Sequence, residues 1–223
     1  MTIRTRAMLG LALASFSALM ACSSNGANPL KTLKALPEML SNKKAAQPVV
    51  TPEQINAVLA ATDKPASVFV LEKTTAQFIL IEIERNRQYQ TFGGPSRQSI
   101  VLERGNIVST RGFGGDLISS EEGALMSLVR ARSVGTATYV QRFLTSDNRT
   151  ETLVYECKLD TGATIPVAMG AVNSKGTMVT ANCSNNDTHF TNTYIVDNNG
   201  YILSGRQWMG KGLEYIAVQP IQK

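Results

Sequence analysis

From about residue 66 onward, apolar and polar positions alternate. In Ala76–Glu84, Ile79, Ile81 and Ile83 take turns with Leu80, Glu82 and Glu84, so one face stays apolar as the other turns polar, the period of a strand. Ala66–Glu72, Ser99–Glu103, Ile107–Thr110, Thr136–Thr145, Thr150–Leu159, Ile165–Val172, Thr177–Cys183, Phe190–Val196, Tyr201–Trp208 and Leu213–Val218 are further strand-like runs. Gly105-Asn106, Asp147-Asn148 and Asp197-Asn198-Asn199-Gly200 punctuate them as turns. Two segments have a helical period instead. Thr51 as cap, Pro52 at the first position and Gln54 three residues after the cap predict a short helix to Ala61, its apolar face made of Ile55, Val58 and Leu59. Ser119 and Glu122 predict a second capping box ahead of Leu125, Met126, Leu128 and Val129. Many short strands and two short helices, without strand–helix alternation, predict a mainly β domain over residues 51–223, an antiparallel β sandwich or barrel.

The N-terminus has a different pattern. Arg4 and Arg6 precede an apolar run from Ala7 to Met20, and Leu19-Met20-Ala21-Cys22 follows. A basic head, a short apolar core and small residues at the cut predict a secretory signal over residues 1–21, too short to span a membrane. The Leu, Ala and Cys spacing resembles the lipobox of bacterial lipoproteins, in which the cysteine is acylated and becomes the mature N-terminus. Cys22 is therefore the expected lipid attachment site, and its acyl chains are the expected membrane contact. Ser23 rather than Asp follows it, a pattern that points to the periplasmic face of the outer membrane. Ser, Asn, Ala, Lys and Pro dominate residues 22–50, with Pro29, Pro37 and Pro48 interrupting any long helix, which reads as a flexible tether.

Composition then narrows the chemistry. At 223 residues with 43% hydrophobic and 17% charged residues, the chain is globular and holds one or two domains. Loss of residues 1–21 with their two arginines lowers the formal charge from +5 to +3, with no basic run, so a nucleic-acid partner is not expected. Cys157 and Cys183 remain, and in an oxidising compartment an even pair reads as a disulfide, worth roughly 3–4 kcal/mol by chain entropy. The rival is two separate buried thiols. His189 is the single histidine, and no spacing of His, Cys or acidic residues fits a metal site, so no metal or cofactor is expected. No G-x-S-x-G elbow occurs, and the only S-x-x-K lies in the tether. Glu82 with Glu84 and Glu121 with Glu122 are the acidic pairs a glycan hydrolase could use, but a solvated strand face and a helix N-terminus explain them more simply. The most unusual local sequence is Arg111-Gly112-Phe113-Gly114-Gly115-Asp116-Leu117. Three glycines around one aromatic imply a tight turn whose amides Asp116 can bond, and the segment is the candidate interaction surface.

Three segments resemble the YjbF/GfcB lipoproteins of group 4 capsule and exopolysaccharide operons. They are Lys64–Val70; Glu103–Leu117, with Arg104-Gly105-Asn106-Ile107-Val108-Ser109-Thr110 leading into the glycine-rich stretch; and Asn192–Asp197 together with Ser204-Gly205-Arg206-Gln207-Trp208. The resemblance runs in order over most of the chain and marks Arg206, Gln207 and Trp208 as a family-motif strand. It implies a mainly β periplasmic domain that assists assembly or export of an extracellular polysaccharide by contact with export proteins or with glycan, and it implies no catalytic residues. An alternative is a periplasmic glycan-binding β sandwich outside any exporter, using Tyr139, Tyr155, Tyr194 or Trp208 to stack on sugar rings; a glycan hydrolase is a third.

Overall fold

The computed structural model describes residues 49–121, 123–145 and 147–223. The expected signal peptide, Cys22 and all of the tether before Val49 lie outside the described residues, as does Glu122. Twelve strands form one antiparallel sheet in the order β5-β4-β3-β2-β1-β12-β11-β10-β9-β8-β7-β6, which curls into a nearly closed barrel. The strands are β1 (Ala66–Leu71), β2 (Ala76–Asn86), β3 (Tyr89–Gly93), β4 (Ser99–Glu103), β5 (Asn106–Arg111), β6 (Leu117–Glu121), β7 (Gly135–Leu144), β8 (Thr150–Met169), β9 (Val172–Ser184), β10 (His189–Val196), β11 (Ile202–Trp208) and β12 (Tyr215–Gln222). Among the described residues three helices accompany them: α1 (Pro52–Ala61), α2 (Gly123–Ala131) and the short α3 (Gly210–Leu213).

Alternation builds the wall. On β7 the buried positions are Ala137, Tyr139, Gln141 and Phe143; on β8 Tyr155, Cys157 and Leu159; on β10 Phe190, Asn192, Tyr194 and Val196. Intervening residues such as Glu156 and Lys158 are exposed. Cys157 and Cys183 stand opposite each other on paired strands, Cα atoms 4.0 Å apart, and form the expected disulfide inside the core. α1 starts as its sequence predicts, with the Gln54 amide donating to Thr51 Oγ1 and the Thr51 amide to Gln54 Oε1. Its Ile55 and Val58 cover the outward face of Ala66, Val68 and Ile221.

Several expectations need correction. Ser119 caps no helix: it lies in β6, opposite Arg142, and α2 begins at Gly123. Pairing with β7 outcompetes the local capping signal. The turn between β4 and β5 is centred on Arg104-Gly105, both with positive φ, one residue earlier than Gly105-Asn106; Asn106 is a buried strand residue. A Cβ at Gly105 would meet the Ile202 carbonyl oxygen, so only glycine fits there. Thr150–Leu159 and Ile165–Val172, read as separate strands, are largely one strand, β8, with a pairing irregularity between Thr161 and Thr164; its last residue is Met169, and Val172 opens β9.

β5 and β6, the ends of the sheet order, meet through side chains. The Leu117 amide donates to Thr110 Oγ1, and Arg111 Nη1 and Ser109 Oγ donate to the Leu117 carbonyl. From across the barrel, Gln207 Oε1 accepts the Ile107 amide. One end of the barrel is shut by α2. Leu125, Met126 and Val129 join the core there, and Arg130 donates to the carbonyls of Glu103, Arg104 and Gly200 while Arg132 donates to that of Asp197.

Candidate functional site

The opposite end is where the unusual segments converge. Register places Leu71 beside Ala76, Gly93 beside Ser99, Ser99 beside Arg111, Leu117 beside Phe143, Leu144 beside Thr150, Ser184 beside His189 and Trp208 beside Tyr215. The glycine-rich turn after β5 and the end of the Arg206–Trp208 strand, about ninety residues apart in sequence, thus share one rim.

Within the turn nearly every side chain is committed. Asp116 Oδ1 accepts from Thr110 Oγ1 (3.1 Å) and the Phe113 amide (3.1 Å), and Oδ2 from the Gly112 amide (2.8 Å). The Arg111 guanidinium is spent on Ser109, the Thr110 carbonyl and the Leu117 carbonyl. Phe113 stacks on Phe78 at 5.9 Å, and Phe78 on Phe69, so the aromatic ring is an anchor in the core. What the turn presents outward is the backbone of Gly114 and Gly115, and Gly115 abuts Gly212 of α3.

Between these two glycine-bearing elements and the β7–β8 and β9–β10 ends lies a cleft of about 700 Å³. That volume falls within the range of about 300–1,000 Å³ common for ligand sites. Phe143, Leu144 and Leu153 supply an apolar side; Glu151, Asn185, Asp187, Thr188 and Lys211 supply polar ones. Among the described residues Glu151, Asp187 and Lys211 are exposed and take part in no ion pair, unlike Arg142 on Glu121 or Arg206 on Glu72. Sequence reasoning did not find these residues, because they come from a strand end, a turn and a short helix with no common spacing.

The family-motif strand divides its roles. Arg206 binds both oxygens of Glu72 (2.7–3.0 Å) and lies 3.4 Å over the Tyr215 ring, tying β11 to β1 and β12 at the rim. Gln207 points inward to β5. Trp208 stacks on Phe190 at 5.7 Å and meets Tyr215 edge-on. Tyr139, Tyr155 and Tyr194 are core residues rather than a sugar-stacking surface. Burial pushes the Tyr155 phenol up, a neighbouring Trp208 N–H works against that, and the Glu151 carboxylate adds to it.

The described members of the acidic pairs are either held in other contacts or open to solvent. Glu82 is held by Arg85 and Gln90, with Glu84 exposed beyond an irregularity in the β2–β3 pairing, and Glu121 pairs with Arg142. His189 is exposed at the start of β10, and no group of three His, Cys, Asp or Glu gathers among the described residues. Asp197 Oδ1 accepts the amides of Asn199 and Tyr201, closing the β10–β11 turn.

Comparison with known proteins gives this architecture a context. No curated protein matches the chain significantly. The crystal structure of the hypothetical lipoprotein YmcC from Escherichia coli (K12) matches with a TM-score of 0.64 at 13% identity, over 90% of this chain and 98% of that one, a likeness of fold. The family model described as group 4 capsule polysaccharide lipoprotein gfcB, YjbF matches residues 18–221. The order of segments, the mainly β barrel and this match agree, and the chain belongs to the YjbF family of group 4 capsule polysaccharide lipoproteins.

Proposed function

We propose that the protein is an outer-membrane lipoprotein, acylated at Cys22 and facing the periplasm, that assists assembly or export of a capsular or extracellular polysaccharide by binding glycan at the rim cleft. The observation that carries this reading is the cleft itself. It is a concave site of ligand size with an apolar side, three exposed charges without partners and open glycine backbone, built where the two family segments meet. Its polar groups suit a hydroxyl-rich ligand, and the capsule context comes from the family. No residue is assigned a catalytic role.

The test is genetic and quantitative. Deleting the gene lowers extracellular polysaccharide, and the wild-type gene restores it. A triple variant, Glu151→Ala, Asp187→Ala and Lys211→Ala, changes only exposed side chains, so it accumulates normally but restores little polysaccharide. Full restoration by the triple variant rules out the cleft, and unchanged polysaccharide in the deletion strain rules out the role.

A further inference from the structure

Beneath the cleft the barrel interior is polar for one layer. Glu151, Leu153 and Tyr155 follow one another on the inward face of β8, and Phe143, Gln141 and Tyr139 on that of β7, so each column starts at the cleft and descends. On β10, Thr188 at the cleft leads to Phe190 and Asn192. Behind Phe143, Gln141 is level with Leu153, and Tyr155 is one step deeper, level with Tyr139; with Asn192 and the start of the β11–β12 connection they make up the polar layer. Gln141 Nε2 donates to Tyr139 Oη and to the Trp208 carbonyl, and the Trp208 amide donates to Asn192 Oδ1.

Three atoms of this layer are left over. Gln141 Oε1, Tyr155 Oη and Trp208 Nε1 are buried without a partner in hydrogen-bond geometry, and Tyr155 and Gln141 are 1% and 0% exposed. Buried polar atoms are nearly always paired, and an orphan is destabilising. Here the Gln141 acceptor, level with cleft-lining Leu153, and one step deeper the Tyr155 hydroxyl beside the Trp208 N–H follow below the cleft. That combination matches adjacent hydroxyls, which also donate and accept.

Deeper still the path ends. Cys157, Leu159, Val179, Ala181, Leu125 and Val129 fill the core, and α2 with Arg130 and Arg132 shuts the far end. Nothing can thread through. We infer that the cleft is a blind, end-on site: it takes the terminus of a glycan chain, whose last residue displaces Leu153 and meets Gln141, Tyr155 and Trp208. This rests on the glycan reading of the cleft and adds which part of the glycan is read.

The probe is polysaccharide isolated from the producing cells and partly hydrolysed into fractions from short oligosaccharides to long polymer. Each is titrated calorimetrically into the full-length protein in detergent. An end-on site binds one protein per chain end, with the same affinity per chain at every length. Tyr155→Phe deletes a hydroxyl whose polar neighbour, the Trp208 N–H, stands outside good hydrogen-bond geometry, so its thermal midpoint falls little, while its affinity for the short fraction drops by about fivefold, one hydrogen bond's worth. Copies bound per chain that rise in proportion to chain length overturn the end-on site, as does a Tyr155→Phe variant that binds like wild type. Absence of binding to every fraction overturns the glycan reading of the cleft and this inference with it.

Discussion

Glu82 lies where β2 pairs with β3, its carboxylate accepting from Arg85 Nε (2.8 Å) and Nη2 (2.6 Å) and from Gln90 Nε2 (2.7 Å). Burial alone raises such a group, but these hydrogen bonds and the Arg85 charge win and hold it below the ordinary value of 4.5. A carboxylate whose folded value is depressed adds stability that is complete above its unfolded value and is lost as pH falls through the folded one. Thermal midpoints measured from about pH 7 to about pH 3 therefore show a shallower acid limb in Glu82→Gln than in wild type. Parallel limbs would show that the ion pair contributes nothing. Asp116 makes a different case, because its partners are amides of its own turn. Asp116→Ala strands the Gly112 and Phe113 amides and Thr110 together, and urea denaturation should register a loss of about 2–3 kcal/mol. Asp116→Asn keeps an acceptor oxygen and loses less.

Among the elements, the β8–β9 hairpin is the one with a covalent tie. Cys157 and Cys183 are directly opposed and buried, and they close a loop with a sequence separation of 26. Replacing both with alanine lowers stability by about 3 kcal/mol in the chain-entropy account, seen as an earlier urea midpoint with a steeper slope, because the uncrosslinked unfolded chain exposes more surface. This pair was legible because two cysteines in an oxidising compartment have few other uses. Strands with a clean apolar face, such as Tyr139–Phe143 and Tyr155–Leu159, were legible for the same kind of reason: only one period fits them. The failures also have causes. β3 (Tyr89–Gly93) places Gln90 at a buried position to satisfy Glu82, which breaks the apolar alternation. β6 carries Ser119 and Ser120 at half-buried positions, and a serine three residues before a glutamate imitates a helix cap. The distal part of β8 exposes Asp160–Thr164, so no buried face marks it as a continuous strand. The glycine-rich turn was legible as a turn, but the cleft beside it was not. Glu151 on β8, Asp187 in the β9–β10 turn and Lys211 in α3 are far apart in sequence, and only the closing of the sheet brings them to one mouth.

At the scale of the whole molecule the question is what an anchor would do for a domain whose proposed glycan cleft lies at one end. Family membership makes the chain a capsule polysaccharide lipoprotein, and Cys22 is the residue proposed to carry the acyl chains. Between Cys22 and Val49 covalent geometry limits the reach to roughly 90–100 Å whatever the conformation. If Cys22 carries the acyl chains, that reach keeps residues 49–223 near the bilayer and raises their local concentration there. Two consequences separate anchoring from folding. Cys22→Ala moves the protein from the membrane pellet to the soluble fraction, because one thiol is all that links it to the acyl chains, whose burial gains about 0.8 kcal/mol per CH₂. The same variant is expected to keep the thermal midpoint of the wild-type domain, since the described barrel, residues 49–223, starts well after residue 22. If the anchor acts by concentrating the cleft, polysaccharide output falls in Cys22→Ala and recovers as the soluble form is overexpressed. Output that stays low at any expression level would instead mean that the bilayer orients the cleft, and fractionation, melting and polysaccharide yield from the same cultures distinguish the two.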